Sequence, residues 1–460
     1  MAGQSATTGI ATGSFDASLK DFYEGMVRRI LNRQCRLYSY AKKGSKTVSG
    51  RQVLFPVNVS GTSAIAATVG GANLPATQFQ ATIDATIKMQ EVWGRIQVNT
   101  DVVAQARDNR GAFERPIALE VQRITEDISD RVNIWLFGDG TGKMAECGAA
   151  VNATNFDVKN LGSAQGTGIN ANQGSRYFKI GDHLDILTAA FAAKALDVTV
   201  TAIAIGGGAT AALDRITITG ATVAGVVAGD GVYFSTQDAS ILPQTSATVS
   251  TAPMGVGGII DDGTFAGTLQ AINRATPANV RWKANAINVG ANSLAPGALS
   301  LDTMQRAVDI ASETGNGFPG VALCHHSIRR EYIKLVQTDR RYTEPYKYEP
   351  GIKESHLENW PWKTSLSFDG FPIAFDKHCQ WQTMFFADPR VLRRWIWKDF
   401  HWVQNGRNGG DTMYLLPGKA GTLEAQCAMF FNLGTDQVSP STCTVLRNIS
   451  ASNLDRFVDA

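Results

Sequence analysis

Residues 51–100 read RQVLFPVNVSGTSAIAATVGGANLPATQFQATIDATIKMQEVWGRIQVNT. Gln52 to Val59 forms one strand in this reading, and a small-residue, Gly-rich tip follows over Ser60 to Ala76. The return strand runs from about Ala81 to Thr100, with Ile83, Ala85, Ile87 and Met89 on one face. At Glu91 the apolar phase moves to Val92, Ile96 and Val98, which a bulge near Trp93-Gly94 would produce. A two-stranded ribbon is marginal in water unless a further layer covers its apolar face. This arm is too long for its own domain to cover, so the expectation is that it lies on another subunit.

A long helix comes next. Pro116 suits a first helical turn, where its missing N–H costs nothing. Ile117, Val121, Ile124, Ile128, Val132 and Trp135 recur at spacings of three and four, opposite Glu120, Arg123, Glu126, Asp127 and Asp130. Gly138-Asp-Gly-Thr-Gly142 stops it, as a glycine just past the last turn should. Any amphipathic helix on a sheet would show this stripe. The order, arm and then long helix, carries the information.

A chain of 460 residues can bury a sizeable core and holds two or three folding units. Charged residues make up 18%, below the roughly 25% of ordinary soluble domains, and abundant Gly (45 residues) and Ala with many Thr and Val suit β-rich structure and close subunit packing. No apolar run approaches the roughly 18 residues of a membrane span, and the first residues lack the basic and apolar regions of a signal peptide. The expectation is synthesis and assembly in cytoplasm without membrane contact. Cys35, Cys147, Cys324, Cys379, Cys427 and Cys443 lie far apart, and in such a chain they read as free, small apolar side chains. The net charge of +2 gives no global nucleic-acid signature. Its distribution is uneven. Between Gly25 and Ile83 there is no acid, whereas Arg28, Arg29, Arg33, Arg36, Lys42, Lys43, Lys46 and Arg51 cluster there. Positive charge alone fits either phosphate backbone or the acids of a neighbouring subunit, and the sequence leaves both open.

Around the arm the chain reads as follows. Asp16 to Gln34 is a helix with a Leu19, Phe22, Tyr23, Met26 and Ile30 stripe. From about Arg176 to Asp262, short alternating strands (Val198 to Ile205, Arg215 to Thr219, Val226 to Phe234) form a small β-barrel or sandwich inserted between helical segments. Ser300 caps a helix that carries Leu301, Met304, Val308 and Ala311 and ends at Gly315. Gly320 to Cys324 is a buried strand, Ile328 to Val336 a second helix, and Leu366 to Phe375 a turn between strands. Met384 to Ala387 and Val391 to Trp397 continue the sheet, and Thr422 to Leu433 is a late buried strand.

This succession resembles the major capsid proteins of tailed double-stranded-DNA bacteriophages, the Hong Kong 97 type. The resemblance implies an α+β fold with an N-terminal arm (1–50), an extended E-loop (51–100) and a P-domain (101–175) with a spine helix near 113–137. The β-module (176–262) is an insertion. An A-domain follows (263–394), then P-domain return strands (395–420) and a last A-domain strand with the C-terminal tail (421–460). Leu301 to Val336 with Arg341-Tyr342, and Phe368-Asp-Gly-Phe-Pro372, resemble A-domain features. Strands near His401 to Leu416 are similar to the P-domain hairpin, with Asn405-Gly406 or Asn408-Gly-Gly410 as its turn. The match is one of order, with no single diagnostic motif.

The implied function is self-assembly into hexamers and pentamers of an icosahedral head enclosing double-stranded DNA. Implied partners are further copies, a portal protein at one vertex, a scaffolding and a cement or decoration protein, and packaged DNA in non-specific contact. The implied place is the virion. Some members cross-link their E-loops through lysine. Here the one lysine between Arg51 and Thr100 is Lys88, mid-strand, so such cross-linking is not expected.

Enzymatic signals are weak. Cys324, His325 and His326 are consecutive, and neighbours on a strand point to opposite faces, so they do not readily share a metal. His378-Cys379 lies downstream. Gly138 to Lys143 imitates a phosphate-binding loop, but Phe137 stands where the first glycine is required and Met144 replaces Ser/Thr. Gly206-Gly-Gly208 reads as a hairpin loop. Asn359-Trp-Pro-Trp362 and Trp395-Ile-Trp397 read as packing or subunit contacts. No catalytic, cofactor or metal residue is assigned. Two alternatives stand beside the capsid reading: a β-rich phage tail or surface-binding structural protein, and a metal-dependent hydrolase around Cys324 to His326.

Overall fold

The computed structural model describes residues 36–44, 52–58, 80–101, 116–150, 152–160, 174–208, 213–220, 225–237, 252–290, 296–337, 366–403, 413–415, 422–436 and 438–450. It also describes residues 48, 50, 61, 64–67, 73, 75, 76, 223 and 242. The helix expected over Asp16 to Gln34, Asn359 to Trp362 and the turn near Asn405 to Gly410 fall outside these residues. The chain divides into two compact units, one of residues 1–35, 90–133 and 396–431, the other of 36–89, 134–395 and 432–460.

The first unit is a sheet with a helix on one face. Gln90–Asn99 runs antiparallel to Thr422–Gly434 in unbroken register from Asn99↔Thr422 to Gln90↔Phe431. The phase change in the sequence therefore has a different cause from a bulge at Trp93-Gly94. The strand Thr82–Lys88 ends, and after Met89 the chain takes a new partner, so the buried set is counted afresh. Val92, Ile96 and Val98 face the same side as Cys427, Met429 and Phe431, and all are buried. The long helix Pro116–Leu136 packs on that side. Gly94 permits the approach: a Cβ there would stand 2.6 Å from Ile128 Cδ1, 2.8 Å from Cys427 Sγ and 3.0 Å from Ile124 Cδ1. Arg393–Trp402 and Met413–Leu415 both pair with Thr422–Gly434, on the edge that Gln90–Asn99 leaves free, and among the described residues they do not pair with each other.

The second unit holds the base of the arm, a barrel and a mixed sheet. In the arm, Gln52–Asn58 pairs antiparallel with Thr82–Lys88. Strict alternation puts Val53, Phe55, Val57, Ala85 and Ile87 inside. Their cover comes from the same chain, which corrects the expectation that a second subunit is needed along the whole arm. Phe55 stacks on Trp395 with centroids 6.2 Å apart. Ile87 lies over Gly434, where a Cβ would be 2.7 Å from its Cδ1. Thr86 N–H donates to the Gln270 carbonyl at 2.9 Å, and the Asn432 amide donates to the Lys88 carbonyl at 2.7 Å.

Six strands close into an antiparallel barrel in the order Gly231–Phe234, Ala145–Ala150, Asn155–Asn160, Asp214–Thr219, Ala193–Ala204 and His183–Leu187. It opens at Ala145, well before residue 176. Phe156, Val158, Leu184, Ile186, Val198, Ile216 and Val232 fill it, joined by Ile134 from the last turn of the long helix. Closure leaves no edge strand open to aggregation.

The mixed sheet has the order Asn285–Asn288, Thr444–Arg447, Met384–Ala387, Val321–Cys324, Phe371–Phe375 and Ser367–Phe368. The helix Leu301–Gly315 covers it with Met304, Ala307, Val308 and Ala311, capped at its start by Ser300 Oγ and at its end by Asn316 in the left-handed region. The helix His326–Gln337 adds Ile328 and Tyr332. Beside the sheet, the fully buried Arg274 donates to the carbonyls of Gly258, Ile259, Ala266 and Trp282, while Asp261 pairs with Arg447. A buried charge persists only with such saturation.

The helix–sheet contact makes a direct forecast. Gly94→Val should overpack the seam with Ile128 and Cys427 and lower stability by about 1–3 kcal/mol in urea unfolding. Gly94→Ala should lie between it and the wild type. A Gly94→Val protein of wild-type stability would place the helix elsewhere.

Candidate assembly surfaces

Two exposed apolar surfaces stand out. The first is the arm's far end. Its described tip residues Gly61, Ile65, Ala66, Ala67, Asn73 and Ala76 are exposed, Ile65 at 81%. Asn58 and Gln80 tie the two strands together with a 2.7 Å side-chain hydrogen bond where the ribbon ends. No charged residue occurs from Gln52 to Ile83, so the tip is uncharged.

The second lies on the first unit's sheet, on the face away from the long helix. Alternation puts Trp93 opposite to Gly94. Trp93 meets Phe430 edge-on at 5.7 Å, Trp397 meets the same ring at 5.1 Å, and His401 stacks on it at 5.9 Å. Trp93 and Trp397 remain 52% and 43% exposed. Trp93 Nε1–H donates to Glu91 at 3.2 Å, and the Lys398 ammonium sits 5.0 Å from the Trp397 ring centroid. In the sequence Trp395 and Trp397 read alike, but they part company: Trp395 is buried under Phe55, and Trp397 is open. Trp93 and Phe430 were missed as members of one surface because their pairing is set by Gln90–Asn99 and Thr422–Gly434 lying side by side. The pattern of exposed aromatics on alternating strand positions is the signal that could have found them.

The residues that invited an enzymatic reading are disposed as follows. Cys324 and Cys379 are buried, and burial pushes the Cys324 thiol up to about 12 and Cys379 well above its usual range. A thiol held protonated is a poor nucleophile. The rings of His325 and His326 stand edge-on at 5.6 Å, and His325 lies 4.7 Å from Trp381. Among the described residues no three His, Cys, Asp or Glu side chains converge on a common metal position. In the Gly138–Gly142 turn, Asp139 accepts from Thr141 N–H and Oγ–H, and a strand follows at Ala145 where a phosphate loop needs a helix. Gly206–Gly208 links two barrel strands, with Gly206 at φ 64°.

No family model matches this sequence, and no curated protein does. Among solved structures it is similar to the cyanophage A-1(L) capsid asymmetric unit, with a TM-score of 0.51 at 10% identity over 90% of this chain and 93% of that one. The fold is Hong Kong 97-like. Mycobacterium phage Adephagia (TM-score 0.45, 9% identity, 97% and 100% covered) and the capsid of Myoviridae phage XM1 (0.45, 6%, 96% and 100%) are also similar. At such identities the likeness concerns the backbone path and transfers no residue's role.

His325 gives the second unit a pH signature. Its Nδ1 accepts from Ser327 N–H at 3.3 Å, capping the helix His326–Gln337, which requires a neutral ring. Burial, with Arg176, His326, Arg330 and His378 nearby, pushes its pKa down to about 2 from an ordinary 6.5. Above about pH 6.5 the ring is neutral folded and unfolded, and its contribution to stability is fully present. As pH falls below that value only the unfolded chain gains the proton, so stability drains away by up to ~1.4 kcal/mol per unit towards the folded pKa. Between pH 6.5 and 5 the loss should be about 2 kcal/mol. His325→Asn keeps a capping acceptor and should flatten this acid limb in urea titrations. Identical pH dependence in the two proteins would contradict it.

Proposed function

We propose that this chain is the major capsid protein of a tailed double-stranded-DNA phage, a shell subunit without catalytic work of its own. The observation that carries this is an arm whose base is anchored in its own chain and whose described tip residues are mostly exposed, Ile65 above all, on a Hong Kong 97-like backbone. The exposed face around Trp93, Phe430 and Trp397 supplies a surface of matching character. A tip on one copy that seats on such a face of the next makes a head-to-tail contact, and repeated rotation closes it into rings. Hexamers and pentamers are the rings an icosahedral head needs. Burying a side chain such as Ile65 or Trp93 contributes about 1.5–3 kcal/mol, so a capsomer gains stability at every seam.

In this reading the N-terminal arm is 1–50, the E-loop 51–100 and the P-domain the first unit's helix and sheet. The A-domain is centred on the mixed sheet, and the barrel is an accessory module turned away from the packed seams. A portal protein, a scaffolding protein, a decoration protein and packaged DNA are the partners such a head would meet. The β-rich tail or surface-binding reading is kept because of the barrel, and it forecasts discrete oligomers in place of closed shells.

The protein expressed alone should form shells visible by negative-stain microscopy. Trp93→Ser/Trp397→Ser removes exposed groups from a folded sheet, so it should leave the circular dichroism spectrum unchanged and shift the protein to capsomers or monomers in sedimentation. Shells of wild-type yield from that variant would remove the aromatic face from the assembly contact.

A further inference from the structure

The root of the arm is tied down by a turn whose residues do not suit it. Thr268–Leu269 and Ile272–Asn273 pair antiparallel around the two-residue turn Gln270–Ala271, with φ of 54° and 66°. Positive φ at both central residues is the mark of a type I′ turn, which selects Asn-Gly, Asp-Gly or Gly-Gly. The molecule uses that chemistry elsewhere: Asp369–Gly370 joins Phe368 to Phe371 with φ of 45° and 83°. Glutamine and alanine in the left-handed region crowd their Cβ against the backbone, so the turn at 270–271 is strained where the one at 369–370 is not.

Three hydrogen bonds oppose that strain. The Gln270 carbonyl accepts from Thr86 N–H at 2.9 Å, on the edge of Thr82–Lys88 that Gln52–Asn58 leaves free. The Gln270 side-chain amide donates to the Thr435 carbonyl at 3.3 Å, and its oxygen accepts from Thr435 Oγ–H at 2.9 Å. Thr435 is fully buried. Gly434 beside it leaves the room needed: a Cβ there would stand 2.6 Å from Gln270 Nε2 and 2.7 Å from Ile87 Cδ1. Asparagine, the ordinary first residue of such a turn, is one methylene shorter than this reach. Behind the tip the stem is anchored. Leu269 and Ile272 are buried, Arg274 N–H donates to the Gly267 carbonyl at 2.9 Å, and the Arg274 guanidinium holds four further carbonyls.

We propose that Gln270 is the positioning residue of the arm and that its turn is a strained clasp. Closed, the clasp fixes the direction in which the ribbon leaves the subunit. The strain offsets part of the three hydrogen bonds, so the tip opens more readily than an unstrained turn would, and opening frees the Thr86 edge while the stem stays folded. Strain of this kind clusters at switch regions. The need for a switch rests on the shell reading, in which one arm serves rings of five copies and of six.

The test is hydrogen exchange on the full-length, unassembled protein, read by mass spectrometry on the peptide 82–88, with the barrel peptide 155–160 as control. Ala271→Gly relaxes the turn and keeps every bond, and it should slow exchange in 82–88 by roughly threefold or more. Gln270→Ala keeps the carbonyl but loses both bonds to Thr435, and it should speed exchange there by roughly fivefold or more. Neither variant should change 155–160. An unchanged or opposite rate in 82–88 for either variant, or a shift of 155–160 in step with it, overturns the proposal. Microscopy of the wild-type protein reads the setting separately: absence of shells would remove the capsid reading and leave the clasp to the exchange rates.

Discussion

A two-stranded ribbon cannot keep its apolar face in water, and the molecule meets that constraint in two different ways along one arm. Near the base the chain covers itself. Phe55 lies on Trp395, Ile87 on Gly434, and the Thr86 N–H reaches the Gln270 carbonyl. These contacts fix where the ribbon starts. Beyond Asn58 and Gln80 most of the described tip residues are exposed, and Ile65 is left in solvent. The arm is thus held at its base and exposes Ile65 towards its tip, a surface that a second molecule could cover.

Elsewhere in the second unit strands and helices cover one another. The barrel is closed, so it offers no edge to a stray strand. The mixed sheet is covered by two helices, and Arg274 ties four carbonyls beside it. In the first unit Gly94 lets the long helix sit close on one face of the sheet, and the aromatic face is left over on the other. Among the described residues Ile65 on the arm and Trp93 and Trp397 on the sheet are exposed, as are Val280 and Phe318 elsewhere in the second unit.

The long helix was legible because its signals are local: Pro116 at one end, Gly138 at the other and a stripe of period 3.6 between them. The arm was legible for the same reason, with alternation in Gln52–Asn58 and a glycine-rich tip. The phase change after Met89 was visible, but its cause was not, because a bulge and a change of partner leave the same mark in sequence. Cover for the arm base comes from Trp395, Gln270 and Gly434, which are distant in sequence, and hydrophobic pattern does not name partners. The first two barrel strands were missed. Ala145–Ala150 has almost no large apolar side chain, and Asn155–Asn160 carries Asp157, buried because Arg215 meets it at 3.0 Å. Of the candidate surfaces, the tip could be read from composition. The Trp93, Phe430 and Trp397 cluster required the sheet.

The central claim, that the arm's tip exists to be covered by a second copy, is tested most directly by sedimentation velocity and microscopy on protein lacking residues 61–78. Since the base contacts of Phe55 and Ile87 are retained, the account predicts a soluble, folded subunit with wild-type helix content that forms no closed shells. Closed shells of normal size from the shortened protein would contradict it.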